Sequence, residues 1–341
     1  MSKRDVILDA LAFRKPAYVP WSIGLTIPAA EKVRKYLGVQ DLGPLLDNHF
    51  FEVYDAGFSP VRETATHMTD IFGVTWDRTV DKDIGTPCDW PIKTQADLDT
   101  YQWPTPGSEE SHAAARQMLK HSTGRFTRYG IGFSLFERAW TLHGMSELLM
   151  DMVAEPQFVE RLMDKIVEYN LVLVHKALEL GVDCVHFGDD YGMQAGLIMG
   201  RPHWLKFIKP RLARMFAPVR AAGKVVSMHS CGQVNVLFDD LVEIGLNMFN
   251  PFQPEVMNVF ELIPHYRGTL AFHGGMSTQK TLPFGSVEDV RAMTRRLIQA
   301  GSEGGYIFSP AHDTPADVPP QNVVAMVEEL KAQPGYKNAS S

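Results

Sequence analysis

The feature that most limits how this chain can fold is an alternation repeated along most of its length: a short β-branched or aromatic run, then a stretch with helical spacing. Eight runs read as strands, at residues 18–24 (YVPWSIG), 49–58, 126–133 (FTRYGIGF), 182–187, 225–228, 248–250, 269–273 and 305–309. Helical patterns follow most of them. Residues 157–180 place Phe158, Leu162, Ile166 and Leu173 on one face and stop at Gly181. Residues 286–300 open on a capping box, Ser286 with Asp289, and close at Gly301. Strands alternating with helices pair in parallel through right-handed crossovers. Eight such units predict an α/β fold, the (β/α)8 TIM barrel, which needs roughly 250 residues plus additions. An open doubly wound sheet is the competing arrangement, but no G-x-G-x-x-G stands at a strand-to-helix turn.

No change of composition divides the 341 residues, so a single domain spanning 1–341 is expected. Residues 59–107 are the irregular part, rich in Pro, Gly and Trp, with strand-like pieces at 73–80 and 89–92. They read as a β-hairpin insertion after the second strand, either a lid over the barrel mouth or a structural ribbon. With 45% apolar and 21% charged residues the chain has an ordinary globular composition. A net charge of −7 without a Lys/Arg cluster argues against nucleic acid. No run approaches the ~20 apolar residues of a membrane span, and the first sixteen residues lack the apolar core of a signal peptide. Three scattered cysteines (Cys88, Cys184, Cys231) suit a reducing compartment, so a cytoplasmic protein is expected.

Polar residues collect at the carboxyl ends of the predicted strands, where barrel chemistry sits. They are Glu137, Asp189, Asp190, Tyr191, His229, Cys231, Gln253, Glu255, His273, His312 and Asp313. His229 and Cys231 lie two apart at the end of the run KVVSMHSCG, so on extended backbone an imidazole and a thiol point the same way. Zinc takes both, although His and Cys are also frequent core residues. His312 follows the last strand and is the best third ligand. Of the neighbours Asp189 and Asp190, one can face the cavity while the other caps the next segment. The cavity-facing carboxylate can complete a metal shell, orient an imidazole or act as a general base. Glu137 has the same options, a salt bridge to Arg138 being the more ordinary one. His273 is either a support for the site or a side chain of the barrel mouth.

The blocks HFGDDYGMQ, MHSCGQV, NPFQPE, GGMSTQKTLPFGS and SPAHDTPADVPPQNVVAMVE, with the helix before RKPAYVPW, resemble the uroporphyrinogen decarboxylase superfamily nearly end to end. More narrowly the chain resembles its corrinoid-linked, zinc-dependent methyltransferase branch. The arginine-rich segment that holds porphyrinogen carboxylates in true decarboxylases reads Trp21-Ser-Ile-Gly-Leu-Thr26 here, which argues against uroporphyrinogen as substrate. By resemblance His229 and Cys231 are metal ligands. Where that branch has a later Cys, this chain has His312, which makes the metal more Lewis acidic.

The resemblance implies a methyltransferase or demethylase moving a methyl group between a small methylated substrate or acceptor and a corrinoid. No D-x-H-x-x-G cobalamin signature is present, so the corrinoid is expected on a partner protein. Asp189, Asp190, Tyr191 and Glu137 are the catalytic candidates. Gln253, Glu255, His273 and Asp313 are the substrate-binding candidates. The superfamily also points to a homodimer. The alternative activity is a metal-dependent decarboxylase or lyase on another small carboxylic acid.

Overall fold

The computed structural model describes residues 1–54, 60–80 and 84–339. Seven strands form one parallel sheet in chain order: β1 (Phe50–Tyr54), β2 (Phe126–Ile131), β3 (Cys184–Gly188), β4 (Val225–His229), β5 (Met248–Phe252), β6 (Ala271–Met276) and β7 (Tyr306–Pro310). Helices connect the later strands, including Lys209–Ala221 between β3 and β4 and Val287–Gly301 between β6 and β7. The helix Pro156–Glu179 buries Phe158, Leu162, Ile166 and Leu173 against the sheet's outer face, each worth about 1.5–3 kcal/mol. Ser286 and Asp289 form the reciprocal cap expected of them.

The sheet curls, but its edges, β1 and β7, do not pair with each other. Residues 18–24, expected as the first strand, do not form one. Trp21 makes a single parallel bridge to Phe308, and Pro20 has no N–H with which to extend a ladder. The segment nevertheless bonds to both edges. The Pro20 carbonyl accepts from Phe308 N–H (2.8 Å), Ser22 N–H donates to the Phe308 carbonyl (3.0 Å), and His49 N–H donates to the Trp21 carbonyl (3.0 Å). An irregular segment thus stands where an eighth strand was expected. The second expected strand, 49–58, is β1; its residues 55–58 lie outside the described residues. Within 59–107, of which 59 and 81–83 lie outside the described residues, a four-stranded antiparallel sheet forms from Pro60–Glu63, His67–Asp70, Thr75–Asp77 and Thr86–Asp89. No described helix is long and apolar enough to cross a membrane.

Each strand sends alternate side chains into the curl. The first inward layer is apolar: Phe50, Phe126, Cys184, Met248, Ala271 and Ile307 form their own cluster. Helix α1 (Lys3–Leu11) seals it from below with Ile7, aided by Leu8 and Leu11. Ser2 caps α1, and Arg4 anchors it through Nε and Nη2 to the Asp183 carboxylate at 2.8–3.0 Å. The next inward layer is polar and leads to the site. Because Ile7 is fully buried in this plug, Ile7→Ala is expected to lower stability by about 2–5 kcal/mol, read from the shift of the urea midpoint.

Candidate metal centre

His229 ends β4, and the turn after it is pinned by neighbouring segments. Ser230 N–H donates to the Asn250 carbonyl (2.7 Å), Cys231 N–H to Asp190 Oδ1 (2.7 Å) and Gly232 N–H to Gln253 Oε1 (2.6 Å). Gly232 has φ +86°, and a Cβ there would stand 2.3 Å from the Gly192 carbonyl carbon, so the turn can pack against the 192–193 segment only as glycine. The outcome is that Cys231 Sγ and His229 Nε2 lie 3.4 Å apart. His312, on the exposed bend after β7, brings its ring to 5.5 Å from that of His229, centre to centre. One ligand atom from each of His229, Cys231 and His312 lies within 4.8 Å of the others.

The orientation of His229 follows from hydrogen-bond logic. Asn250 Nδ2 donates to the His273 carbonyl (3.1 Å), which can only accept. Asn250 Oδ1 therefore faces His229 Nδ1 (2.7 Å), which must carry the imidazole proton. The Nε2 lone pair is left facing Cys231. Metal-bound imidazoles are held this way, by a hydrogen bond on the opposite nitrogen. Burial lowers the His229 pKa, keeping the ring neutral, against the opposing charge of Asp190. The donor set suits zinc. Bond lengths of about 2.0–2.3 Å put tetrahedral ligand atoms roughly 3.3–3.8 Å apart, and exposed His312 is free to close the remaining gap. Burial, then the charge of Asp190, pushes the Cys231 thiol up, so metal binding there is coupled to proton release.

The two aspartates divide their work. Asp189 is fully buried and accepts from Phe136 N–H (2.8 Å), Glu137 N–H (2.7 Å) and Tyr191 O–H (2.8 Å), capping helix α2 (Phe136–His143). Burial pushes it up to about 7 against those bonds. Tyr191 is buried with its hydroxyl committed to Asp189. Asp190 faces the centre, with Oδ1 3.7 Å from His229 Nε2. Glu137 makes no ion pair with Arg138, whose guanidinium lies 3.5 Å from Asp70 and 3.8 Å above Phe72. Burial, then the charges of Asp189 and Asp190, hold the Glu137 carboxyl well above the usual carboxylate range, so it keeps its proton.

Of the other expected residues, His273 and Asp313 line a cavity of about 340 Å³ that also meets His229 and His312. Gln253 does not line it and instead holds the turn at Gly232. Glu255 is not brought to the centre. Its carboxylate bonds to Ser277 Oγ at a separate cavity of about 180 Å³, because β5 has ended and the chain has already turned outward. The cavity walls also hold residues that strand reading overlooked: Glu52, Arg128, His186, Asn250 and Ser309. Each is a polar residue inside a mostly apolar run (FFEVY, FTRYGI, CVHFG, MFNPF, YIFSP), two positions after an inward apolar side chain. That recurrent placement was the available signal.

The family model described as uroporphyrinogen decarboxylase (URO-D) matches residues 72–333. No curated protein matches the chain in sequence. Among solved structures the chain is similar to a methyltransferase from Methanosarcina mazei, with TM-score 0.73 and 15% identity over 97% of this chain and 98% of that one, a likeness of fold. A GH27 β-L-arabinopyranosidase from Geobacillus stearothermophilus aligns over 96% of this chain and 77% of that one, but at TM-score 0.40 and 10% identity it carries no argument.

A carboxyl with a raised native pKa contributes its full stability below the unfolded value of about 4.3 and loses it as pH rises through the native value. Glu137→Gln removes that loss while keeping the shape. Its Tm advantage over the parent is therefore expected to widen from about pH 5 to about pH 9 in calorimetry. Parallel curves would reject a protonated Glu137.

Proposed function

The chain belongs to the uroporphyrinogen decarboxylase family, and on that premise we propose that it is a metal-dependent methyltransferase or demethylase. In this reading a methyl group passes between a small substrate and a corrinoid carried by a partner protein. The observation that carries the proposal is the convergence of His229, Cys231 and His312 beside one cavity at the carboxyl end of a curled parallel sheet. The fold shared with a methyltransferase supports it. Residues 1–341 act as one domain, with 59–107 as an insertion after the second expected strand, either a lid or a structural ribbon.

His229, Cys231 and His312 would hold the metal, with Asp190 positioned as a fourth ligand or a base. When bound, zinc supplies Lewis-acid activation of the substrate's heteroatom, stronger with one thiolate than with two. The protein does the rest. Asn250 fixes the His229 tautomer, and Asp190 holds the backbone of Cys231. Glu137, kept protonated by burial and by the charges of Asp189 and Asp190, would serve as a proton reserve for the heteroatom that loses its methyl group. Asp189 and Tyr191 position Glu137 by capping the helix that carries it.

Elemental analysis of protein purified without chelator is expected to find close to one zinc per chain, and none in the His229→Ala/Cys231→Ser double variant. The same variant should lose at least about 100-fold in methyl transfer from methylated donors to free cob(I)alamin, followed by absorbance. Full metal and full transfer in the variant would place the centre elsewhere. Carbon dioxide release without any corrinoid requirement would favour the decarboxylase alternative. Asn250→Leu leaves the three ligands in place and is expected to weaken zinc binding by about 10–100-fold in chelator competition.

A further inference from the structure

A larger cavity, of about 400 Å³, opens beside the one at the metal centre, and none of the ligands lines it. It lies at the carboxyl end of β2, between that strand, the helix Pro156–Glu179 and the turn at Phe72. Folded interiors leave few voids larger than a water molecule, whereas small-molecule sites are commonly of this size. Its deep wall includes Phe72, Ile166 and Leu173, all buried, and its accessible rim includes Tyr54, Gly132, Phe133 and Trp103. Two polar groups on the wall are engaged elsewhere. Asn170 Nδ2 donates to the Ser134 carbonyl, and the Arg138 guanidinium lies 3.8 Å above Phe72 and 3.5 Å from Asp70. The surface offered to a solute is mostly carbon.

Among the described residues Tyr54 alone lines both cavities. It ends β1 opposite Gly130, and its ring takes the space of the missing side chain, since a Cβ on Gly130 would stand 2.6 Å from it. Gly132 continues the wall. Its φ lies outside the left-handed range, and no described atom comes within 4 Å of where a Cβ would stand. Neither its backbone nor its described neighbours require glycine there, so what the missing side chain preserves is open space. The metal centre is near. Gly188 lies opposite His229 in the ladder of β3 and β4, and a Cβ on Gly188 would stand 3.5 Å from Gly132 Cα. With adjacent strands about 4.8 Å apart, Gly132 is about 10 Å from His229 along the strand ends. Phe133 then takes φ +49°, a left-handed backbone that is an outlier for a bulky side chain. Such strain persists where the surroundings hold it, and it gathers at ligand sites.

We propose that this cavity seats a ring-sized apolar group of the substrate, whose methyl-bearing heteroatom reaches past Tyr54 to His229, Cys231 and His312. An apolar cavity of about 150 Å³ already holds benzene, so 400 Å³ takes a ring and the atoms that link it to the reacting end. The methyl donor is thereby narrowed to molecules with two unlike ends. The polar end meets the histidine-rich cavity, and the carbon end lies against Phe133 and Trp103. Tyr54 stands between the two as the residue that sets which donors span them. Burying the ring is expected to tighten binding about 30–100-fold over an analogue that lacks it.

The assignment rests on the reading of the metal centre as the reacting site, but its test needs no methyl transfer. Ligand-observed NMR titration of the full chain, with and without zinc, would use methoxybenzene, (2-methoxyethyl)benzene and methoxycyclohexane beside 1,2-dimethoxyethane, an ether with no apolar end. At least one ring-bearing ether is expected to bind about 30–100-fold more tightly than 1,2-dimethoxyethane. Gly132→Leu fills the open space without backbone strain and is expected to abolish that advantage, whereas Gly132→Ala keeps most of it. Trp103→Ala removes part of the wall and is expected to weaken ring binding about tenfold, so the test stands even if Gly132→Leu does not fold. Ring-bearing ethers that bind no better than 1,2-dimethoxyethane, or an advantage that survives in the folded variants, would each overturn the assignment. Ring-selective binding with no methyl transfer to cobalamin from any methylated donor would leave the cavity's role standing and sink the methyltransferase reading. Transfer from 1,2-dimethoxyethane with no preference for a ring would do the reverse.

Discussion

Everything in this molecule depends on what a curled parallel sheet does with its inner face. The curl leaves a narrow interior into which each strand can send alternate side chains only, and those side chains meet in layers. In this chain the layers change character abruptly. Phe50, Phe126, Met248, Ala271 and Ile307 make an oily plug closed by α1. One step along the strands stand Glu52, Arg128, His186, Asn250 and His273. The plug excludes water from below. The polar layer above it then works at low dielectric, where a hydrogen bond is stronger and an unpaired donor more expensive.

The polar layer is a connected band and does not behave as a scatter of ions. Glu52 pairs with Arg128 on the neighbouring strand, and His186 Nδ1 lies 2.9 Å from Ser227 Oγ on the next. Asn250 joins His229 to His273. Asn250 is the hinge of the site's electrostatics: one amide fixes the tautomers of two histidines, releasing a lone pair toward Cys231 and an N–H donor on His273. A substitution at Asn250 would therefore disturb both the metal centre and the cavity wall. The neighbouring carboxylates are sorted by the same physics. Asp189 receives two backbone N–H groups and a phenol, whereas Glu137, held up by burial and by both aspartates, keeps its proton.

Much of this was legible before any coordinates. The alternation of strand and helix determines a parallel sheet, because short connections through helices permit little else. The pair at i and i+2 in HSC determines that imidazole and thiol share a direction. The ends of the runs marked where polar chemistry would gather, and the capping box at Ser286 needed only local backbone geometry. The first predicted strand failed for a local reason as well: Pro20 cannot donate, so residues 18–24 bond to both sheet edges without forming a strand. Glu255 and Gln253 were grouped with the site because they follow a strand. Where β5 ends sends one to a separate cavity and the other to the support of a turn.

By itself the sequence determined the periodicities, hence the strands, most of the helices and the end of the sheet where His229, Cys231 and Asp190 collect. Only the tertiary structure decided which way each strand faces and what lies across the curl. A polar residue inside an apolar run is silent until the register of its neighbours is known. Glu52 and Arg128 become a pair only when β1 lies beside β2. Likewise His312 stands 83 residues beyond His229, and nothing local relates them. The curl of the sheet brings the two rings together. The reason is general: a periodicity is a property of consecutive bonds, whereas a binding site is a property of distances between segments that no local rule connects.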